Sequence, residues 1–386
     1  MTKFHTATDE EIMDGKTTDS YFLNALKAIE GMDGGEKEAV AEVGAYSLPS
    51  SYGYGVFLGL MDSLNLFKGK NVDVYAMEEG TFFFPKEVVM RVVGPYKEFC
   101  VFETPLLGLL CHNSGIATKA SRIKKFAGEK TVLSFGVRRI HPAIAPMVDR
   151  AAYIGGCDGF SCIAAEEHTG KKASGTMPHS LIIYAGDQVK GWKAFDEFCD
   201  PSVPRTALVD TYCDEKEEAI KAAQSIKLDG VRLDTPSSRR GDMAEIIREV
   251  RWELDIRGFE NVKIFVSGGL NEEEVRELKA DGYGVGTSIS NAPVINFALD
   301  LVEIGGEAVA KRGKLGGKKQ VWRCFDCMES AITLDGAKPP RCSSCSKQMT
   351  PLLKKVMDGG KPLVKKKEDE AIREWVLNQL NSLSYP

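Results

Sequence analysis

Apolar and polar positions alternate in a repeating way through the middle of the chain. Short runs, most of them holding Val, Ile, Leu or Phe, occur at Thr131–Val137, Gly159–Ala164, Thr206–Thr211, Gly230–Asp234, Val262–Ser267 and Tyr283–Thr287, and these, together with the small-residue stretch Lys172–Thr176, read as strands. Between them, amphipathic stretches with acidic openings begin at Asp214, near Arg240 and at Asn271, the layout of helices whose first turn favours negative charge. This rhythm predicts an α/β domain over residues 106–305. The span is short for a regular eight-unit barrel of about 250 residues, so an open, irregular α/β barrel is expected. Upstream, strand-like runs at Val72–Met77 and Val88–Val93, and a helix carrying Tyr21, Phe22, Ala25, Leu26 and Ile29, predict an α+β domain over residues 1–105. Downstream, Asn296–Ile304 reads as a helix, Gly305–Gln320 as a linker, and Glu368–Leu383 as an amphipathic helix that closes a third segment, 306–386.

Composition adds little until it is resolved along the chain. The 386 residues are 43% hydrophobic and 27% charged, an ordinary soluble balance. No stretch approaches the roughly 18 apolar residues of a membrane span, and the start lacks a secretion layout, so a cytoplasmic protein is expected. Six of the ten cysteines have no framework spacing, which fits a reducing compartment. The net charge of −5 hides an asymmetry: Lys311–Lys367 holds 15 Lys/Arg against 4 Asp/Glu, a net of +11 set against −16 elsewhere. A basic C-terminal module of this kind admits a nucleic-acid-binding reading, with the barrel as scaffold.

In a parallel barrel the residues at the strand carboxyl ends converge on one face. Here those ends are polar: Ser134 leads to Arg138 and Arg139, Val209 to Asp210, Val231 to Arg232 and Asp234, Val266 to Ser267-Gly268-Gly269, and Val285 to Gly286-Thr287. Two glycine turns ending consecutive late strands suggest a phosphate cradle, with the helix after Gly269 pointing its positive end inward. The arginines offer charge for further phosphates or a carboxylate, or form structural ion pairs. Asp210 and Asp234 suit a magnesium ion, the orientation of a histidine, or plain helix capping. The heptapeptide Ser174–Ser180, Ser-Gly-Thr-Met-Pro-His-Ser, reads as strand, turn and helix start. It places Thr176 and His179 toward the cleft, although a helix-start histidine satisfied by a neighbouring carbonyl is the plainer reading.

Cys324-x-x-Cys327 and Cys342-x-x-Cys345, 14 residues apart, have zinc-ribbon spacing. Four thiolates close a tetrahedron and leave no open position, so the metal is expected to be structural zinc; a rubredoxin-like iron site is the alternative.

Taken together, Tyr21 after Thr-Asp-Ser, Glu79-Gly80-Thr81, Glu103-Thr104, Ser134 to Arg139, Gly175 to Ser180, Asp210-Thr211-Tyr212, Arg232-Leu233-Asp234 and the two glycine loops resemble, in order, the nicotinate phosphoribosyltransferases over residues 10–300, with a cysteine appendix like that of archaeal members. The resemblance implies the type II phosphoribosyltransferase fold, working as a homodimer or a higher oligomer built from dimers. It implies transfer from phosphoribosyl pyrophosphate to nicotinate, with magnesium and with ATP as co-substrate, coupled through a phosphorylated histidine. By the resemblance His179 takes the phosphoryl group, Asp210 is the acid beside it, and Tyr21 packs on the pyridine ring from a neighbouring subunit. Thr176 and Arg232 belong to the base site, and Asp234 contacts ribose or magnesium. Ser267, Gly268, Gly269, Gly286 and Thr287 form the 5′-phosphate site. Ser134 stands where related nicotinamide enzymes carry an aspartate, so its hydroxyl, with Arg138 or Arg232, is expected to favour a carboxylate. Pro178 departs from those enzymes, which carry an acid beside the histidine. Quinolinate and nicotinamide transferases on the same fold, and a phosphate-binding barrel of aldolase or isomerase type, are the other enzymatic readings.

Overall fold

The computed structural model describes residues 4–33, 35–239 and 241–383. The chain divides into two compact units: one from its two ends, up to Thr118 and from Pro293 onward, the other Lys119–Ala292. This differs from a serial division at 105 and 305. The C-terminal segment supplies strands to the sheet of the N-terminal one, so the two share a single unit.

That first unit is built on a seven-stranded sheet in the order Glu307–Ala308, Phe297–Ile304, Glu38–Ala45, Val88–Pro95, Asp73–Ala76, Lys354–Asp358, Lys361–Pro362. The strands Glu38–Ala45 and Val88–Pro95 are buried along most of their length and occupy the middle, as apolar runs do. Phe297–Ile304 is a strand, not the helix its sequence suggests, and pairs antiparallel with the Glu38–Ala45 strand from Ala45 opposite Phe297 to Ala39 opposite Ile304. Leu, Ala and Glu in that segment are acceptable to a helix, but the backbone of Glu38–Ala45 needs hydrogen-bond partners on both sides, and tertiary pairing overrides weak propensity. The closing helix Asp369–Ser382 buries Ile372, Val376 and Leu380. At about 1.5–3 kcal/mol per fully buried aliphatic side chain, this face holds the helix down. Gly80 sits at φ +83° under it, where a Cβ would meet Ile372 at 2.8 Å. The Gln379 amide accepts from Phe82 N–H at 2.9 Å and donates to the Gly80 carbonyl at 2.8 Å.

The second unit is a wholly parallel six-stranded sheet in the order Gly159–Phe160, Thr131–Ser134, Gly282–Val285, Lys263–Ser267, Gly230–Leu233, Thr206–Leu208. Its helices start where their caps dictate: Asp214 accepts from Glu217 N–H, Asp242 from Ala244 N–H, and Asn271 from Glu273 and Glu274. Six of the seven expected strands form. Lys172–Thr176 does not: it stays irregular, touching the sheet through one bond from Ser174 N–H to the Phe160 carbonyl, 2.6 Å. Lys, Ser and Gly give this stretch little apolar face to bury. The barrel is therefore open, with a seam between Gly159–Phe160 and Thr206–Leu208. At the seam's far edge the fully buried Trp192 donates its indole N–H to the Leu208 carbonyl at 3.0 Å.

Candidate active site

All six parallel strands point their carboxyl ends to one edge, and a cavity of about 500 Å³ opens there. Its lining includes Phe135 and Arg138 from the first strand's end, Ser161 from the second, Thr176 to His179 from the seam segment, and Arg232 and Asp234 from a later strand. The irregular seam that failed to make a strand thus forms one wall. Pro178 is the N-cap of the His179–Ala185 helix, which puts the histidine at the first helical position.

His179 Nε2 lies 3.0 Å from Asp210 Oδ1, and Nδ1 lies 4.0 Å from Asp234 Oδ2. The imidazole is 39% exposed while the Asp210 carboxylate is 3% exposed. Asp210 Oδ2 also faces Asp234 N–H and Thr235 Oγ1, each at 3.0 Å. Burial pushes the Asp210 carboxyl above the usual range, against the pull of His179 and of its hydrogen bonds. With Asp210 on Nε2, the arrangement leaves Nδ1 turned toward the charged end of the cavity.

The two arginines differ. Arg232 is committed, with Nη1 at 3.1 Å from Asp234 Oδ2 and 3.1 Å from Ser267 Oγ, and Nη2 donating to the Met177 carbonyl at 3.0 Å. Arg138 is exposed and makes no hydrogen bond among the described residues, so its charge is uncompensated. Ser267 is 4% exposed, and its hydroxyl donates to Asp234 Oδ1 at 2.7 Å. Gly268 and Gly269 follow at φ +93° and +78°. A Cβ on Gly268 would meet the Asp234 carbonyl at 3.1 Å, so glycine is needed for this approach. The amides of Gly268, Gly269 and Thr287 donate to no group among the described residues and are available for an anion. The helix after Gly269 is not part of that cradle. It has six residues, Glu272–Glu277, and Asn271 takes its N-terminal amides in a capping box, so its positive end is satisfied internally.

Ser134 is not on the cavity wall. It is fully buried and donates its hydroxyl to Asp149 Oδ1 at 2.7 Å, while Asp149 Oδ2 accepts from Ser161 and Cys162 N–H at 3.2 and 2.8 Å. Burial raises the Asp149 carboxyl, opposed by those hydrogen bonds. Tyr21 belongs to the first unit, on the Ser20–Asp33 helix. Its ring is 59% exposed, packs on Phe22 at 4.5 Å, and its hydroxyl donates to Asp19, which Thr104 holds at 2.9 Å. Sequence reasoning passed over Phe135, Asp149 and Glu215. The signal for Phe135 was present: Gly284 lies beside it in the parallel strand, and a Cβ there would meet the ring at 2.6 Å.

In the first unit the sulfurs of Cys324, Cys327, Cys342 and Cys345 all lie within 4.8 Å of one another. The two knuckles are built alike. Cys324 N–H donates to the Glu329 carbonyl at 2.9 Å and Cys342 N–H to that of Lys347 at 2.8 Å, and the residue after each second cysteine, Met328 or Ser346, takes a left-handed φ of 57° or 59°. A tetrahedral ion with metal–sulfur bonds of about 2.3 Å needs sulfurs about 3.8 Å apart, a separation this grouping admits.

Residues 19–114 match the family model described as quinolinate phosphoribosyl transferase, N-terminal domain, and residues 116–300 that of its C-terminal domain. A nicotinate phosphoribosyltransferase of Mycobacterium tuberculosis is 30% identical over 357 residues, covering 80% of this chain and 78% of that protein. One of Bacillus subtilis is 32% identical over 332 residues, covering 74% and 66%. Among solved structures, a nicotinate-nucleotide pyrophosphorylase from Pyrococcus furiosus superposes with a TM-score of 0.97 at 50% identity, covering 99% of each chain. Human nicotinic acid phosphoribosyltransferase, at 20% identity and a TM-score of 0.77 over 95% and 94%, shares the fold.

Proposed function

The chain belongs to the nicotinate phosphoribosyltransferases, and from that premise we propose how its residues divide the reaction. Nicotinate and phosphoribosyl pyrophosphate give nicotinate mononucleotide and pyrophosphate: the pyridine nitrogen bonds to the anomeric carbon as its bond to the pyrophosphate oxygen breaks. The chemistry needs positioning and charge neutralisation more than a protein nucleophile. The observation that carries the assignment is the meeting of His179, Asp210, Arg138, Arg232 and Asp234 at one edge of the parallel sheet.

Arg138 is the partner of the nicotinate carboxylate, because Arg232 is already neutralised by Asp234. Arg232 and Thr176 frame the ring. Gly268, Gly269 and Thr287 hold the 5′-phosphate through their amides, with Ser267 fixing Asp234 and Gly286 allowing the last turn. Magnesium, when bound, shields the charge of the departing pyrophosphate; Asp234 is the carboxylate open enough to hold it, since Asp210 is buried among its partners. ATP coupling runs through His179. With Nε2–H on Asp210, the Nδ1 lone pair forms the bond to the γ-phosphorus as the bond to the ADP oxygen breaks, and Asp210 holds the ring proton and its charge. Tyr21 serves the base site of a neighbouring subunit in a dimer. The four cysteines hold structural zinc as thiolates, in an archaeal-type appendix. The full-length likeness to the Pyrococcus furiosus chain, which spans this segment, supports that reading.

The test is a product assay with nicotinate, phosphoribosyl pyrophosphate and magnesium, with and without ATP, joined to labelling from γ-labelled ATP. His179→Ala is expected to abolish acid-labile labelling and ATP hydrolysis while leaving slow uncoupled transfer. Labelling retained in that variant would remove His179 from the phosphoryl step.

A further inference from the structure

Behind Asp210 the site continues into a residue that the reaction as drawn does not use. Glu215 opens the Glu215–Ser225 helix, is 9% exposed, and brings Oε1 to 2.5 Å from Thr235 Oγ1. Thr235 Oγ1 is in turn 3.0 Å from Asp210 Oδ2, whose other oxygen is 3.0 Å from His179 Nε2. Four groups therefore stand in line: Glu215, Thr235, Asp210, His179.

A hydroxyl has one proton to give, and here two carboxylates compete for it. The distances decide the competition. An O–H···O⁻ bond lies at about 2.5–2.7 Å, which fits the Glu215 contact and not the 3.0 Å one to Asp210. With its proton turned to Glu215, Thr235 presents a lone pair to Asp210 Oδ2, leaving that oxygen, among the described residues, the Asp234 amide alone as donor at 3.0 Å. Asp210 then keeps more of its charge for His179. Among the described residues, the other charged groups around this line have partners of their own: Glu218 accepts from the amides of Thr211, Tyr212 and Cys213, and Asp234 pairs with Arg232.

We infer that Glu215 is a positioning residue for His179: by taking the Thr235 proton it keeps Asp210 a strong acceptor and His179 an electron-rich nucleophile. The inference rests on the phosphoryl role of His179 given above. Without Glu215, Thr235 turns its proton to Asp210, the carboxylate draws less on the ring, and two things follow. His179 attacks more slowly, and protonation of the site sets in at lower pH.

The experiment reads the rate of acid-labile labelling of the full chain from γ-labelled ATP as a function of pH, with ATP saturation curves and melting temperatures for each variant. Glu215→Leu is expected to slow labelling about fivefold, the worth of one hydrogen bond, with the KM for ATP unchanged and the acid limb displaced to lower pH. Glu215→Gln, whose amide oxygen still accepts, is expected to recover most of the rate. Thr235→Val removes the bridge, so adding Glu215→Leu to it should change neither rate nor acid limb. An acid limb and rate unmoved in Glu215→Leu, a Gln variant as slow as Leu, or an undiminished Glu215→Leu effect on the Thr235→Val background would each overturn the inference. Absence of labelling in the unmodified protein would instead overturn the phosphohistidine reading, so the two failures are distinguishable. Should Glu215→Leu not fold, Glu215→Ala, which likewise offers Thr235 no acceptor, takes its place in each of these comparisons.

Discussion

A serine hydroxyl 2.7 Å from a carboxylate, with both groups sealed from solvent, is committed to that carboxylate and has nothing to offer a ligand. Ser134 therefore works through Asp149, which ties the end of its strand to the Ser161 wall of the cavity. Removing one partner of such a pair leaves the other unsatisfied, so Ser134→Ala is expected to cost about 1–3 kcal/mol of stability. Ser134→Asp should be worse, because it sets two carboxyls side by side in the core. Nicotinate preference, by contrast, should survive Ser134→Ala and be lost in Arg138→Met. Thermal melts beside kcat/KM ratios for nicotinate and nicotinamide decide this, and a preference that vanishes with Ser134→Ala would return specificity to the serine. The alignment of polar residues at strand ends was legible in the sequence, because strand period and parallel topology fix which end they occupy. Whether a given side chain turned to the cavity or the core was not, since that depends on Asp149, which is distant in sequence.

Glu103 is a second residue whose behaviour follows from its surroundings. It lines a cavity of about 400 Å³ in the first unit with Tyr96, Asp300 and Lys311. Burial pushes its carboxyl up to about 7 from an ordinary 4.5, helped by Asp300 and Asp19 and opposed by Lys311. Between those values the native chain holds a proton that the unfolded chain has released, so stability is greatest below the lower value and falls as pH rises through the upper. Glu103→Gln should remove that part of the decline. Melting temperatures of the two proteins across this range measure it, and parallel curves would show that Glu103 contributes nothing.

At the scale of elements, helices with strong caps were readable and elements defined by their neighbours were not. Asp214, Asp242 and Asn271 each cap the helix their sequences announce. Phe297–Ile304 became a strand because an adjacent strand required it, and Lys172–Thr176 became a wall because nothing rewarded its burial. The cysteine ribbon was the most legible element, since its spacing alone implies the fold of the knuckles. Its anchor was not. Arg323, next to the first cysteine, is fully buried, donates to Glu87 at 2.7 Å and lies over the Phe84 ring at 4.1 Å. Metal analysis is expected to find about one zinc per chain. Cys324→Ser should loosen the ribbon without altering the transfer step, whereas Glu87→Gln, which strips a buried cation of its partner, should cost about 3–5 kcal/mol. Iron in place of zinc, or full stability after Cys324→Ser, would refute a structural zinc site.

At the scale of the whole molecule the segregation of charge acquires a cause. The basic segment meets the acidic residues of its own unit: Lys319 pairs with Glu42, Arg323 with Glu87, Lys354 and Lys367 with Glu78, Lys355 with Asp73, Lys314 with Asp300 and Lys318 with Glu303. Much of the +11 is thus spent inside the unit, which removes the main support for a nucleic-acid grip. Tyr21 raises the opposite question, since it is a large aromatic side chain left outside its own core. Its hydroxyl is held by Asp19, desolvation together with the charges of Asp19 and Glu103 makes it harder to ionise than an ordinary tyrosine, and its ring stays 59% exposed. A rigid aromatic with an anchored polar tip is suited to stacking on a planar ring supplied from elsewhere. If that ring is nicotinate in a partner's cavity, each site needs Tyr21 from one chain and His179 from another. Tyr21→Ala and His179→Ala homo-oligomers should then both lack ATP-coupled transfer, while hybrids of the two regain it, because one composite site in each hybrid dimer draws both intact residues from different chains. The hybrid is prepared with two affinity tags and assayed for ATP-dependent nicotinate mononucleotide, with an expected recovery of up to about half the native rate per dimer. Verified hybrids that stay inactive would assign Tyr21 to the site of its own chain.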